Sequence, residues 1–411
     1  MSTWNVRIPV DEAAAAFRGL RGLVDGDAVV AHDLDRLRAR VGELRDTFPT
    51  GSLHAVAVKA NPVVGLLRVL VDAGAGLECA SIEEVHLALA AGCPPGRVVF
   101  DSPAKTRGEL ADALARGVHV NADNLDELAR VDALGARGSV GVRVNPGVGA
   151  GAIAMTSVAA RGSRFGVAID DPRLVPAFVA RPWLDTVHVH VGSQGCPLPL
   201  LVAGVERARA LVEEIRAAGG RVATLDVGGG LPARYRDDET LPTLAEYARA
   251  LERAGVFDGV RVVTELGRAI HATAAWVAAR VEYVKDAGDE RVAVMHVGAD
   301  LLVRRAYLPH EWHHDFAVLD AGGFPKRGEA LPHTIAGPLC FSGDVLARGI
   351  ALPRIEPGDW VLVRDVGAYT MGMWSRHCSR GMPVVVGYDA EGARVLRARE
   401  RPEDVVRFWG G

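Results

Sequence analysis

Eight short apolar runs between residues 50 and 265 constrain the fold of this 411-residue chain more than any other feature. Amphipathic helical stretches such as 82–92 and 201–220 separate them. Strands that alternate with helices predict a parallel sheet covered by helices, and eight such repeats predict an α/β fold with a (β/α)8 TIM-type barrel. The runs occupy residues 54–58, 76–80, 97–100, 117–121, 140–144, 186–191, 223–227 and 260–266.

After residue 268 the pattern changes to strand-like runs with turn signals, such as the Pro-Gly-Asp at 357–359, and few long helices. This pattern is typical of a mostly antiparallel β domain. A chain of 411 residues also exceeds the length at which a single core stops growing. We therefore expect a barrel over residues 25–268 and a β domain, a β-barrel or sandwich, built from 1–24 plus 269–411.

Composition argues against several classes of partner. The formal net charge is −4 and no Lys/Arg cluster is interleaved with aromatic residues, so nucleic-acid binding is not expected. No apolar run reaches about 18 residues and the N-terminus lacks a leader pattern, which predicts a cytoplasmic protein without a membrane partner. The five cysteines form no CxxC pair, so disulfides and structural zinc are not expected.

Lys59 is the first residue that indicates chemistry. Arginine carries most of the basic charge, and lysine occurs only at positions 59, 105, 285 and 326. Each lysine is therefore more informative than usual. Lys59 ends the apolar run HAVAVK and precedes Ala-Asn-Pro, which places its amine at the rim of a barrel. Partial desolvation there favours the neutral amine, a nucleophile toward an aldehyde. The alternative is a lysine that extends to solvent from a strand end.

Two further motifs follow the last two runs of the barrel, where barrel phosphate sites commonly lie. Gly228, Gly229 and Gly230 come after the seventh run, and consecutive glycines let backbone N–H groups approach an anion closely. Glu265 and Arg268 end the eighth run. The carboxylate suits a protonated pyridine nitrogen and the guanidinium suits a phosphate. The alternative for the three glycines is a flexible turn, and the alternative for Glu265 and Arg268 is a surface ion pair.

Two histidines alternate on the sixth run, VHVHVGSQ. We expect no metal site at His188 and His190. His190 suits stacking on an aromatic ring, and Ser193 suits a phosphate oxygen.

Cys340 lies in GPLCFSGD, four residues before Asp344. A lone thiol in a β domain is usually an inert core residue, but at an active site it can donate a proton to a carbanion. Two other motifs are set aside. The HExxH spelling at 310–314 follows a proline and lacks a helical apolar face, and GVGAG at 147–151 lacks the remaining features of a dinucleotide loop.

Taken together, the motifs resemble the fold type III (alanine-racemase-like) decarboxylases that use pyridoxal 5′-phosphate (PLP), most closely the diaminopimelate decarboxylases. The likeness runs in order from about residue 25 to 400. The matching segments are AVKANP around Lys59, LECAS around Glu78, SRFG at 163–166, HVGSQ around His190, GGG at 228–230, ELGR at 265–268, CFSGD around Cys340 and DVGAY ending at Tyr369.

The resemblance implies roles for these residues. Lys59 would hold PLP as a Schiff base, with Glu78 beside it; His190 would stack on the ring, and Glu265 would pair with the ring nitrogen. The phosphate would lie among Ser193, Gly228, Gly229, Gly230, Arg268 and Tyr369. The family also implies a homodimer with shared active sites, in which the segment bearing Cys340 reaches the partner's cofactor and its thiol returns a proton to the substrate.

Departures from the family pattern concern the substrate. Diaminopimelate decarboxylases carry a glutamate after the cysteine, where this chain has Phe341, and an unpaired ammonium beside phenylalanine would be costly. Arg304 matches a family arginine that holds a distal carboxylate, and Asp344 and Arg376 are further substrate-contact candidates. We expect an amino acid of specialised metabolism, or an aminoacyl group tethered to a carrier protein, rather than diaminopimelate.

Two other functions fit the same scaffold. An amino-acid racemase or epimerase needs a base on the second face of the substrate, for which Tyr369 is the candidate. It would incorporate solvent deuterium at Cα without releasing CO2. A non-catalytic PLP-binding regulator would bind the cofactor without turnover, and the pairing of Cys340 with Asp344 argues against it.

Overall fold

The computed structural model describes residues 3–135, 138–153, 155, 157–288 and 290–411. The strands, in chain order, are β1 (Ala28–Asp33), β2 (Leu53–Ala57), β3 (Gly76–Cys79), β4 (Val98–Phe100), β5 (His119–Ala122), β6 (Val140–Asn145), β7 (Val167–Ala168), β8 (Leu184–Val189), β9 (Thr224–Asp226), β10 (Arg261–Thr264), β11 (Ala275–Ala287), β12 (Glu290–Met295), β13 (Phe316–Leu319), β14 (Ala330–Ala336), β15 (Val345–Pro353), β16 (Trp360–Arg364), β17 (Val384–Asp389) and β18 (Gly392–Arg397).

Several barrel helices begin where the sequence supplies N-terminal caps. Ser81, Thr106, Asn124 and Thr243 each accept a hydrogen bond from the backbone N–H three residues on, which satisfies a donor that the first helical turn leaves unpaired. The helices are α1 (Val10–Leu20), α2 (Leu34–Thr47), α3 (Val64–Asp72), α4 (Ile82–Ala90), α5 (Arg107–Ala115), α6 (Leu125–Ala133), α7 (Leu174–Val179), α8 (Leu198–Ala217), α9 (Leu244–Arg253), α10 (Arg268–His271), α11 (Val303–Tyr307) and α12 (Pro402–Phe408).

The first compact unit, built mainly from residues 38–233 and 240–270, contains the barrel. Its parallel strands pair in the order β2, β3, β4, β5, β6, β8, β9 and β10, and β10 pairs again with β2. This closure confirms the predicted TIM-type barrel, and each of the eight predicted runs overlaps one of its strands. The short β7 pairs with the end of β6.

The second unit comprises residues 5–37, 234–239 and 271–411. Its sheet is mostly antiparallel, with parallel pairing only between β1 and β17 and between β12 and β14 among the strands described. Phe17, Trp276 and Trp360 pack together in its core. This architecture confirms the predicted β domain.

The boundary between the units lies later in the chain than the expected residue 25. Strand β1 belongs to the second unit, because Val30 pairs with Val277 of β11 and with Val385 of β17. All six β1 residues are buried and the first four are apolar, so the sequence of this strand resembles that of a barrel strand. Local periodicity cannot distinguish which sheet such a strand joins.

Among the described residues, no helix is both long and apolar enough to cross a membrane.

Candidate active site

The C-terminal ends of the barrel strands bring together most of the residues that the sequence singles out. Lys59 follows β2 in a short 3₁₀ turn, Glu78 lies on β3, and His190 follows β8. The glycines follow β9, and Glu265 follows β10. In a parallel barrel these ends share one rim, where chemistry collects in this fold.

Lys59 and Glu78 form a close ion pair at this rim. Lys59 Nζ donates to both carboxylate oxygens of Glu78, at 2.6 and 2.7 Å. The Glu78 side chain is fully buried, whereas that of Lys59 is 36% exposed. Burial raises the pKa of Glu78 to about 8, against the lowering effect of Lys59. The amine therefore has a buried partner with which it can exchange a proton.

The Gly228–Gly230 turn packs against the rim too closely for side chains. Gly228 and Gly230 have φ angles of 65° and 126°, which favour glycine. A Cβ at Gly228 would lie 2.5 Å from the carbonyl oxygen of Val189, and one at Gly229 would collide with the carbonyl oxygen of Glu265. The turn therefore requires glycine, because a side chain at either position would collide with neighbouring backbone.

His190 is fixed against this turn, because its Nδ1 accepts a hydrogen bond from the Gly229 N–H at 3.1 Å. Burial lowers the pKa of His190 to about 3, so the ring is neutral near pH 7. A neutral imidazole is suited to stacking on an aromatic ring.

Ser193 and Arg268 supply polar groups near the same turn. Arg268 Nε donates to Ser193 Oγ at 3.3 Å, and the arginine is only 3% exposed. A buried guanidinium beside a hydroxyl and a glycine turn is an arrangement that suits a phosphate group.

A buried layer of charged residues includes Glu265, and sequence reasoning missed most of it. His188 Nε2 lies 3.3 Å from Glu265 Oε2, and its Nδ1 lies 3.6 Å from Asp101 Oδ1. Arg143 pairs with Asp101 at 3.1 Å. The sequence pattern drew attention to His188 only through its neighbour His190, and no motif marked the others. Charged residues inside apolar strands were the available signal.

Asp101, His188 and Glu265 offer ligand atoms within 4.8 Å of one another, a spacing that could hold a metal ion. Arg143 competes for Asp101, and a protonated His188 has no lone pair for a metal. These contacts favour an ion-pair network over a metal site.

In the second unit, Cys340 is exposed and Phe341 lies in an aromatic cluster. The Phe341 ring stacks on Tyr307 with centroids 5.7 Å apart and an interplanar angle of 15°. His377 meets Phe341 edge-on at 5.9 Å. We call Tyr307, Phe341 and His377 the aromatic cluster.

Arg304 lies between two rings, with its guanidinium carbon 4.5 Å from the centroid of Trp312 and 4.6 Å from that of Tyr369. Tyr369 has a φ of 57°, an unusual conformation for a residue with a side chain. The predicted phosphate and carboxylate contacts of these residues stay predictions.

Asp344 and Arg376, the two further candidates for substrate contact, have partners within the second unit. The buried Asp344 carboxylate accepts backbone N–H groups of Ala299 and Leu339, each at 2.6 Å. Arg376 forms a two-point ion pair with Glu400, at 3.0 and 2.8 Å. These contacts occupy both side chains, and a substrate contact of either residue stays a prediction.

The set-aside motif at 310–314 is not helical, as expected, so its two histidines lack the spacing of a zinc-binding helix.

Comparison with known proteins defines the class. The family described as "Pyridoxal-dependent decarboxylase, pyridoxal binding domain" matches residues 34–272, more than half of the chain. The chain belongs to this family, and it is therefore a PLP-dependent carboxy-lyase.

Individual relatives point to amino-acid decarboxylation of the diaminopimelate decarboxylase type. The chain is 36% identical over 367 residues to diaminopimelate decarboxylase of Pseudomonas aeruginosa, covering 86% of each protein. It is 28% identical to the Helicobacter pylori enzyme, covering 92% of this chain and 94% of that one. A crystal structure of the H. pylori enzyme complexed with L-lysine matches with a TM-score of 0.85 and 26% identity, covering 94% of this chain and 98% of that one.

The residues at the barrel rim fit PLP. The glycine turn, which has no room for a Cβ, and the buried Arg268 beside the Ser193 hydroxyl suit the phosphate of that cofactor. The buried carboxylate of Glu265 suits its ring nitrogen.

Proposed function

We propose that this chain removes the α-carboxylate of an amino acid whose distal end is apolar, anionic or linked to a carrier protein, rather than a free ammonium. The aromatic cluster carries this proposal. Phe341 stands where the resembling enzymes have glutamate, and its ring already contacts Tyr307 and His377. An ammonium placed there without a partner would cost several kcal/mol.

Each rim residue has a role in this reaction. Lys59 holds the cofactor covalently and exchanges a proton with Glu78, which lies within 2.7 Å. Ser193, Arg268 and the Gly228–Gly230 turn hold the phosphate. Glu265 accepts a hydrogen bond from the ring nitrogen, and His190 packs on the ring. When bound, PLP accepts the electron pair that remains on Cα after CO2 leaves.

Cys340 returns the proton to Cα. Its thiol is exposed on the second unit, which makes it available to a second copy of the chain. We therefore infer a homodimer in which Cys340 of one protomer completes the site around Lys59 of its partner.

A screen for CO2 release tests the substrate. The purified, PLP-loaded protein is offered meso-diaminopimelate, amino acids with apolar or carboxylate ends, and aminoacyl groups on a carrier protein. The proposal is supported if kcat/KM is higher for an amino acid with an apolar or carboxylate end, or for a carrier-bound aminoacyl group, than for meso-diaminopimelate. Fast turnover of meso-diaminopimelate alone contradicts it.

Meso-diaminopimelate is the second candidate. The names of the relatives favour it, as does Arg304, which matches the family arginine for a distal carboxylate. Phe341→Glu separates the candidates. It restores the glutamate of the resembling enzymes, so kcat/KM for meso-diaminopimelate should rise by about tenfold or more if the missing ammonium partner limits it.

Mixing two inactive variants tests the shared site. Lys59→Ala and Cys340→Ser each abolish or strongly reduce turnover. If each site combines residues of two protomers, random mixing should restore about a quarter of wild-type activity, because half of the dimers regain one of two sites. A monomer in solution, or no recovery in proven mixed dimers, contradicts the homodimer proposal.

A further inference from the structure

His188 lies in the barrel interior between two carboxylates and has no assigned role. Its side chain is fully buried on β8, with Glu265 at 3.3 Å on one ring nitrogen and Asp101 at 3.6 Å on the other. Both carboxylates are also nearly fully buried. Because water is excluded from this triad, the ionisation of each member depends mainly on the charges of the other two.

The charge state of the triad follows from these contacts. Burial alone would lower the pKa of His188, but Glu265, Asp101 and Asp226 together raise it to about 9. Burial would likewise raise the pKa of Glu265, yet the interaction with His188 lowers it. Near pH 7 the triad therefore contains an imidazolium and an ionised Glu265.

A fourth group completes this layer. Asp226 on β9 has its Oδ1 bound to the Gly228 N–H at 2.9 Å. Burial and the charge of Glu265 raise the pKa of Asp226 well above its ordinary value. The pKa values of these two neighbouring carboxyl groups thus shift in opposite directions, and the lowered one belongs to Glu265, which His188 contacts at 3.3 Å.

We propose that His188 is a positioning residue that keeps Glu265 ionised and correctly placed to receive the protonated ring nitrogen of PLP. A carboxylate paired with a cation is a weaker base, so a proton shared between Glu265 and the ring nitrogen resides on the ring. Without His188 the carboxylate becomes the stronger base and takes that proton. The inference rests on the role proposed for Glu265.

Several other charged or titratable groups influence this balance. They face His188 or Glu265 from the surrounding strands and turns, and a test must leave them unchanged: Lys59, Glu78, Asp101, His119, Arg143, His190 and Asp226.

The test uses PLP labelled with ¹⁵N in its ring, bound to wild-type protein and to His188→Gln without substrate. The ¹⁵N chemical shift reports whether the ring nitrogen carries the proton. Loss of a cation at this distance raises a carboxyl pKa by about 1 to 3 units. The ratio of protein with the proton on Glu265 to protein with the proton on the ring nitrogen therefore rises by about 10- to 1,000-fold. The wild-type ring nitrogen should be protonated, and that of His188→Gln largely unprotonated.

Two variants separate charge from structure. His188→Lys keeps a cation and should keep the ring protonated. His54→Gln removes another buried barrel histidine, one that contacts Thr264 at 2.9 Å, and should leave the ring signal unchanged. Circular dichroism and thermal melts report whether each variant is folded.

An unchanged ring signal in His188→Gln overturns the proposal, as does an equal change in His54→Gln. If His188→Gln does not fold, His188→Asn replaces it, and failure of both to fold would make His188 a purely structural residue. An unprotonated ring in wild-type protein contradicts the role of Glu265 instead, so the two failures are distinguishable.

Discussion

Replacing Arg376 tests whether this residue binds substrate or stabilises the second unit. The guanidinium pairs with both carboxylate oxygens of Glu400, and its side chain is 15% exposed. It also lies over the rings of Trp374 and Phe408, with its central carbon 4.5 and 3.8 Å from their centroids. Arg376→Met keeps the apolar stem and removes only the charged group.

The expected cost follows from these contacts. An exposed pair contributes about 0 to 1 kcal/mol and breaking a buried pair costs about 3 to 5 kcal/mol, and this pair is between the two cases. Glu400 keeps hydrogen bonds from Arg397 at 3.0 Å and from the Met382 N–H at 2.9 Å, which reduces the loss. We expect a decrease of about 2 to 3 kcal/mol in unfolding free energy, or about 5 to 10 °C in Tm.

Urea unfolding, Tm and steady-state kinetics of the same preparations measure the effect. Glu400→Gln and the double variant complete a cycle, and a coupling energy of about 1 kcal/mol or more is expected for a direct pair. If Arg376 serves only the ion pair with Glu400, KM should stay within about twofold of wild type. An unchanged Tm together with a KM raised about tenfold would refute the structural role.

Three further predictions address the rim and the response to pH. Lys59→Met should lose the visible absorption of bound PLP and all turnover, because no amine remains to hold the aldehyde; a retained absorption band would contradict its role. Gly229→Ala should weaken PLP binding by about tenfold or more in a cofactor titration, since the added methyl group meets backbone; Gly96→Ala, which meets nothing within 4 Å, is the control. Burial lowers the pKa of His54 and of His314 to about 4, below the ordinary 6.5. The stability that each contributes as a neutral ring is present above pH 6.5 and lost as pH falls, by about 2 kcal/mol each between pH 7 and 5. In urea unfolding, His314→Gln should lose less unfolding free energy between pH 7 and 5 than the wild type does. An equal loss in both proteins would contradict the assignment of this pH dependence to His314.

The sequence by itself determined the barrel and the residues at its rim. Parallel strands buried on both faces appear as short apolar runs, so eight runs predicted eight strands. Because the carboxyl ends of parallel strands share one rim, the sequence alone groups Lys59, Glu265 and the glycines. Local rules were sufficient, since each depends on neighbours in the chain.

Only the tertiary structure decided which partners the polar groups have. Strand β1 resembles a barrel strand but pairs in the other sheet, and Arg376 meets a glutamate 24 positions away. His188 acquires its charge from Glu265 and Asp101, which follow other strands. Such contacts join residues far apart in the chain, and the ionisation of a buried group depends on all charges around it. Periodicity and motif spacing carry no information about either.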